Sequence, residues 1–364
     1  MSLIASPFHA RAVEANRLNA WENRNGYTLA AHYGSPAEEA VAAHFGAVLC
    51  DLSWQWRVEI TGAAAAAFVS RLFTRDASAL GTGAAMDILW LNDAGAVRGV
   101  GTVVRLAADR FALVSAQADA AWVTSAAQLY GVTVEDRSAS TGALALIGPA
   151  AAKILSAAGL DPQLPPRSCR QTGWRGVDVS LSRHGLGYEI VCDADQALIV
   201  WDRLARAGRN FALLPAGLAA YDILALENGI VRPGSDFVAA REGFTAAPAP
   251  QSLGLIGFVD CAHLFNGRAG VLAAGPATVL AGVLADGEAL IAHLPLTADG
   301  QPVGRTLGAC VSPALQRAIA LAVLPDGVFG SATNLLAGSV PCRIVPVPLL
   351  ALPLPATETG KSSV

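Results

Sequence analysis

The sequence predicts an α+β protein that closes with a small antiparallel β-barrel. Three observations lead there. Helical and two-residue apolar periods follow one another through tight turns, without the even strand–helix alternation of a doubly wound parallel sheet. From Thr141 a second α+β unit begins, whose rhythm of strand, helix and strand loosely echoes the first 140 residues. From Val271 onward short apolar runs are separated by Gly, Pro and Asp-Gly turns, Asp286-Gly287 and Asp299-Gly300 among them, which is the pattern of a small barrel. The expected domains are 1–140, 141–270 and 271–364.

In the first unit, Pro36 opens a helix over 36–46, with Ala40, Val41 and Phe45 at helical spacing. Residues 50–61 alternate as a strand, with Val58 and Ile60 on one face and Arg57 and Glu59 on the other, until Gly62 ends it. A helix over 63–73 and a strand over 86–91 come next. Asn92-Asp93-Ala94-Gly95 then makes a hairpin turn into strands over 97–106 and 110–115, a helix over 118–130 and a strand over 132–136. The second unit offers a strand over 143–147, a helix over 149–158, a loop over 161–168, strands over 177–182 and 188–191, and helices over 195–207 and 218–228.

The 364 residues are 53% hydrophobic and 15% charged, enough for a large core and for more than one module. A net charge of -4 with no run of Lys or Arg argues against nucleic acid or an anionic membrane as partner, leaving a small-molecule substrate. Cys50, Cys169, Cys192, Cys261, Cys310 and Cys342 are scattered, which reads as reduced thiols rather than a disulfide framework or a zinc site. Residues 1–10 lack the apolar core of a signal peptide. The apolar stretch 345–355 is short and broken by proline, against the roughly 20 residues a membrane span needs. A cytoplasmic protein is expected.

Several short segments, in order along the chain, carry a family resemblance. They are CDLSWQWRVEITG (50–62), LFTRDASALGTG (72–83), LNDAGAV (91–97), LALIGPAA (144–151), SRHGLGYEI (182–190), LLPAGLAAYDILALENG (213–229), FNGRAGVL (265–272) and LGACVSPALQRAIALAVLP (307–325). Together they resemble the glycine-cleavage T-protein, or aminomethyltransferase, superfamily. The resemblance implies a three-domain disc around a funnel that holds tetrahydrofolate, and transfer of a one-carbon unit to that cofactor.

The departures from the family pattern gather at the implied ligand site. The family carries Asp-Asp after its Gly-Gly hairpin, the first being its catalytic carboxylate; here those positions are Gly99 and Val100. The insert before Gly-Tyr-Glu is shortened to His184-Gly185-Leu186, and the arginines of the helix after Pro-Ala-Gly-Leu become Tyr221 and Ala225. The tyrosine that precedes the family's hairpin becomes Asp87. Glu189 aligns with a glutamate that hydrogen-bonds the pterin ring, and a carboxylate suits two parallel N–H donors. Tyr188 beside it is a stacking residue or plain sheet filling.

His184 and Asp87 are the candidate acids or bases: an imidazole titrates near neutrality, and a carboxylate inside an apolar strand faces either a cavity or the strand's outer side. Trp54, Trp56 and Trp90, with Tyr33, are candidate aromatic walls for the pterin or a flat substrate, or else core residues; Tyr221 joins the candidate substrate side. Asp236 and Arg241 lie in a region resembling a substrate-side loop, or form a surface ion pair.

Loss of the carboxylate turns the expected function away from glycine cleavage. A tetrahydrofolate-dependent O- or S-demethylase acting on a small substrate, an aromatic one included, is the first expectation. A folate-independent carbon–carbon lyase releasing formaldehyde from a hydroxymethyl group is the alternative, and a non-catalytic folate-binding protein the third.

Overall fold

The computed structural model describes residues 3–350 apart from 243, 245–246, 286–288 and 329–333. The chain falls into two compact units, Met1–Ser53 with Ser140–Tyr221, and Trp54–Ala139 with Asp222–Ala351.

The first unit is built on a six-stranded sheet in the order Ser168–Trp174, Val177–His184, Gly187–Asp193, Thr141–Ile147, Ala47–Asp51, Leu213–Ala216. All its pairs are antiparallel except the last. The helices Ala151–Ala158 and Ala197–Gly208 supply Ile154, Leu155, Val200 and Leu204 to a core that takes Leu144, Leu146, Leu181 and Ile190 from the sheet. Side chains alternate across a strand, so the intervening residues face the other way. One row on that opposite face runs Cys169, Ser182, Glu189, Ala145, Cys50 across five strands in register. The predicted helix at 36 spans Pro36–Phe45. Ser35 caps it by accepting the Glu38 N–H at 3.4 Å, and proline takes the first turn, where it loses no hydrogen bond.

The second unit holds a five-stranded antiparallel sheet in the order Ala85–Leu91, Val97–Ala107, Arg110–Ser115, Trp56–Thr61, Thr133–Asp136. One face packs Val58, Ile60, Ile88, Trp90 and Leu113 with Phe68, Val69 and Val123 of the helices Ala65–Leu72 and Ala120–Gln128. The other face gives Leu89, Leu91 and Val97 to a core with Leu253, Phe265, Val271 and the barrel residues Leu307 and Ile319. The barrel is closed and antiparallel, with Thr278–Ala285, Arg317–Pro325, Gln301–Ser312, Pro295–Ala298, Leu335–Ala337 and Val340–Val345 in that order around it. Asp299 and Gly300, both at positive φ, turn the Pro295–Ala298 hairpin as expected; Asp286-Gly287 lies outside the described residues.

Two of the motifs meet in space. A Cβ on Gly95 of the 91–97 segment would come within 2.6 Å of the Val271 nitrogen, and Gly267 and Gly270 of the 265–272 segment press on Asn92 and Ala94. Glycine lets the hairpin and the linker helix Arg268–Ala273 touch backbone to backbone.

The expected strand over 50–61 is two strands belonging to different sheets. Asp51 Oδ1 accepts the Ser53 N–H at 2.9 Å, turning the chain, while Ser53 Oγ accepts the Ala143 N–H at 3.2 Å. An Asx turn of this kind competes with the extended ladder. Ser168–Trp174 is a strand that the sequence reading did not contain; Arg175 and Gly176, both at positive φ, form its hairpin turn.

Candidate functional site

Within the first unit, the face of the sheet away from the helices carries a polar strip. Glu189 is 4% exposed and Ser182, its cross-strand neighbour, 5%. His184 lies two residues from Ser182 on the same strand and so on the same face. Its Nε2 is 3.3 Å from Glu189 Oε2. The shortened turn makes this pairing: His184 stands opposite Gly187, with Gly185 at φ +57 closing the hairpin. Cys169, on the edge strand, completes the strip beyond Ser182. A buried carboxylate needs hydrogen-bonding or cationic partners, and an imidazole is one.

Tyr188 belongs to the other face. It packs in the helix-side core, 3% exposed, and its hydroxyl donates to the Pro162 carbonyl at 3.0 Å. A ligand on Glu189 therefore does not meet it, because neighbouring residues of a strand point to opposite sides. Tyr33 packs against that same core, and burial together with the charge of Asp51 pushes its phenol pKa up. Its loop is fixed by the buried Glu39, whose carboxylate accepts the N–H groups of Tyr33 (2.7 Å), Gly34 (2.9 Å) and Gly217 (2.9 Å). Tyr221 is half-buried on the helix Leu218–Glu227, with Ala225 one turn on.

In the second unit the tryptophans do not form an open wall. Trp56 is 4% exposed in the helix-side core and donates from Nε1 to Asp136 at 3.0 Å. Trp90 is fully buried and donates to Asp119 Oδ2 at 2.9 Å, with the Phe73 ring edge-on at 5.9 Å. Both are core residues, so neither reaches a ligand. Trp54 is buried in the turn that separates the two sheets.

The space above Gly99 belongs to Trp90. The two are cross-strand partners, and a Cβ on Gly99 would fall against the indole atoms Cζ2, Cε2 and Cη2. Gly101 lies under the same ring, 3.2 Å from Cζ3 to its ideal Cβ. The ring is anchored. Arg98, an extra residue where the hairpin register shifts, holds Asp119 with Nε and Nη2, each at 2.8 Å, and lies 5.0 Å over the Trp122 ring. Two parallel charge-assisted bonds fix the carboxylate that in turn fixes the indole.

Asp87 lies on the opposite face of that sheet from Trp90, half-buried, and accepts the Thr102 hydroxyl at 3.0 Å. Asp236 and Arg241 do not form a surface ion pair. Asp236 is fully buried and held by Arg232 Nη2 at 2.9 Å, and Arg241 donates to the carbonyl of Arg98 at 2.6 Å. Sequence reasoning missed Ser182, Cys169, Arg98 and Asp119. The register of the polar strip and the lone acid Asp119 before an apolar helix were the available signals. Among the described residues no group of His, Cys, Asp and Glu is arranged to hold a metal ion, and no helix is long and apolar enough to cross a membrane.

One mixed sheet, one antiparallel sheet and a terminal barrel define an aminomethyltransferase-like fold. It superposes on the crystal structure of the glycine cleavage system aminomethyltransferase T from Bartonella henselae with a TM-score of 0.83 at 24% identity, covering 96% of this chain and 99% of that one. Residues 8–247 match the family model described as the GCVT N-terminal domain. An aminomethyltransferase of Frankia alni is 34% identical over 302 residues, 78% of this chain and 80% of that protein. One from Stenotrophomonas maltophilia is 31% identical over 350 residues, 89% and 90% of the two chains. The chain belongs to the GCVT aminomethyltransferase family.

Proposed function

We propose that this chain is a tetrahydrofolate-dependent enzyme that takes a methyl group from oxygen or sulfur of a small substrate. The observation that carries the reading is the indole packed over Gly99. The position that aligns with the family's catalytic carboxylate has neither the side chain nor the volume for one, which argues against aminomethyl chemistry. The polar strip supports retention of a heterocyclic ligand. Glu189 fits the amidine-like edge of a pterin, because a buried carboxylate accepts adjacent N–H donors in parallel.

Family members work with tetrahydrofolate, which when bound supplies the nucleophilic N5 that accepts the one-carbon unit. In this reading Glu189 orients the ring. His184, its Nε2 held by Glu189, gives a proton from Nδ1 to the departing oxygen or sulfur. The case for an aromatic substrate loses Trp56 and Trp90, which are core residues, and Tyr33, which packs against the helix-side core of its own unit.

One observation favours the folate-independent lyase as a second reading: Tyr221 and Ala225 stand on the helix where the resemblance places arginines. The discriminating experiment titrates the protein with tetrahydrofolate under anaerobic conditions, following tryptophan fluorescence. It then screens methoxyarenes and methylated sulfur compounds for 5-methyltetrahydrofolate. Saturable binding with methyl transfer is expected. Absence of binding at millimolar tetrahydrofolate sinks the reading, and formaldehyde release without folate would move the assignment to the lyase.

A further inference from the structure

The strip does not end at Glu189. Ser182 is its direct neighbour on the next strand and Cys169 follows on the edge strand, all three on one row of one sheet face. Adjacent strands are about 4.8 Å apart, so the row from Glu189 to Cys169 covers about 10 Å, the reach of a flat bicyclic heterocycle with its first substituent. Exposure rises along it: Glu189 and Ser182 are buried, while Ser180 and Cys169 are part-exposed. The charged end is thus the deep end, and the thiol lies toward the outer edge of the sheet.

We propose that Cys169 is a specificity-determining contact of this site, extending the ligand surface from Glu189 across Ser182 to the sheet edge. This rests on the reading of Glu189 as the carboxylate that holds the ligand. The class of ligand it favours is a planar heterocycle that offers adjacent N–H donors at one end and an uncharged polarizable ring edge at the other. Burial first, and the charge of Glu189 second, push the Cys169 thiol up to about 11. It therefore stays a neutral S–H at neutral pH and behaves as a small, soft, weakly donating group rather than an anion. Ser182 stands directly across from it on the next strand, and Ser180 lies on the same face of that strand. An anionic contact there would add a second negative charge beside Glu189; a neutral thiol does not.

The test measures tetrahydrofolate affinity of the full chain, by tryptophan fluorescence, for Cys169→Leu, Cys169→Ser and Glu189→Gln, with the thermal unfolding midpoint of each. Cys169→Leu is expected to weaken binding about 10-fold, the loss of one polar contact plus added bulk. Cys169→Ser is expected to stay within about twofold. Wild-type affinity in Cys169→Leu, with weakened binding in Glu189→Gln, overturns the proposal and leaves the folate reading standing. Absence of binding by the unmodified protein overturns both.

A second measurement is independent of any substitution. Iodoacetamide labelling of the unmodified protein, read by peptide mass spectrometry, should slow about fivefold or more at Cys169 under saturating tetrahydrofolate, with no change at Cys342 in the barrel. Equal rates at Cys169 with and without the saturating ligand also overturn it.

Discussion

Two sheets of this chain have treated polar side chains in opposite ways. Around Gly99 the polar groups of the helix-side core bond to one another: Trp90 and Arg98 both end on Asp119, and Trp56 ends on Asp136. Around Glu189 the polar side chains gather on the face away from the helices, in a row that grows more exposed toward the sheet edge. The first arrangement closes a space, and the second is the one that the proposed function gives to a ligand. The contrast matters because the family's catalytic carboxylate aligns to the closed region. An indole on the facing strand fills the volume above Gly99, and glycine is the residue that permits it.

The largest effect should come from reversing that exchange. Gly99→Asp forces a side chain into the anchored indole and buries a carboxylate in an apolar core. Overpacking of about 3 kcal/mol and a further ~2 kcal/mol for the buried carboxylate are expected. The check is a double-mutant cycle with Trp90→Leu, read by denaturant unfolding. Gly99→Asp should cost at least 1 kcal/mol less on the Trp90→Leu background, as residues in contact couple by about 0.5–3 kcal/mol. Additive costs would mean that Trp90 does not occupy the position.

Asp119→Asn probes the anchor. It keeps the shape but leaves the Arg98 guanidinium buried without its carboxylate, at a cost of about 3 kcal/mol. Tetrahydrofolate affinity, referred to the folded fraction, should be unchanged if Asp119 acts only in the core; a specific loss of affinity would blur the contrast drawn between the two sheets.

Much of the fold was legible because it rests on periodicity. The helices at 36, 63 and 218 and the hairpin at 92 read correctly, since their apolar spacing is local, as is the Ser35 cap of the first. The break at 52–55 was not: Trp54 and Trp56 keep up the apolar alternation, and the turn is made by one Asp51 side-chain bond. The strand Ser168–Trp174 escaped because polar residues occupy both of its faces. Of the site, Glu189 and His184 were reachable from the sequence, although their contact depends on the tight hairpin. Trp90 over Gly99 was not reachable, because the pairing skips Arg98 and that one-residue shift decides which side chains face each other.

The smallest effect separates the two faces of a single strand. Tyr188 and Glu189 are consecutive, and both were candidates for the ligand. Tyr188→Phe removes one hydroxyl whose bond to the Pro162 carbonyl is worth about 1 kcal/mol, while the ring keeps its place in the core. Stability should fall by about that amount, and tetrahydrofolate affinity should not move. Glu189→Gln should do the reverse, lowering affinity more than stability, because the amide keeps the shape of the side chain and loses the charge that accepts paired N–H donors. If Tyr188→Phe weakens binding as much as Glu189→Gln does, the ligand reaches the helix-side face as well. The division between a closed core and a polar strip would then fail at the residue where the chain crosses from one to the other.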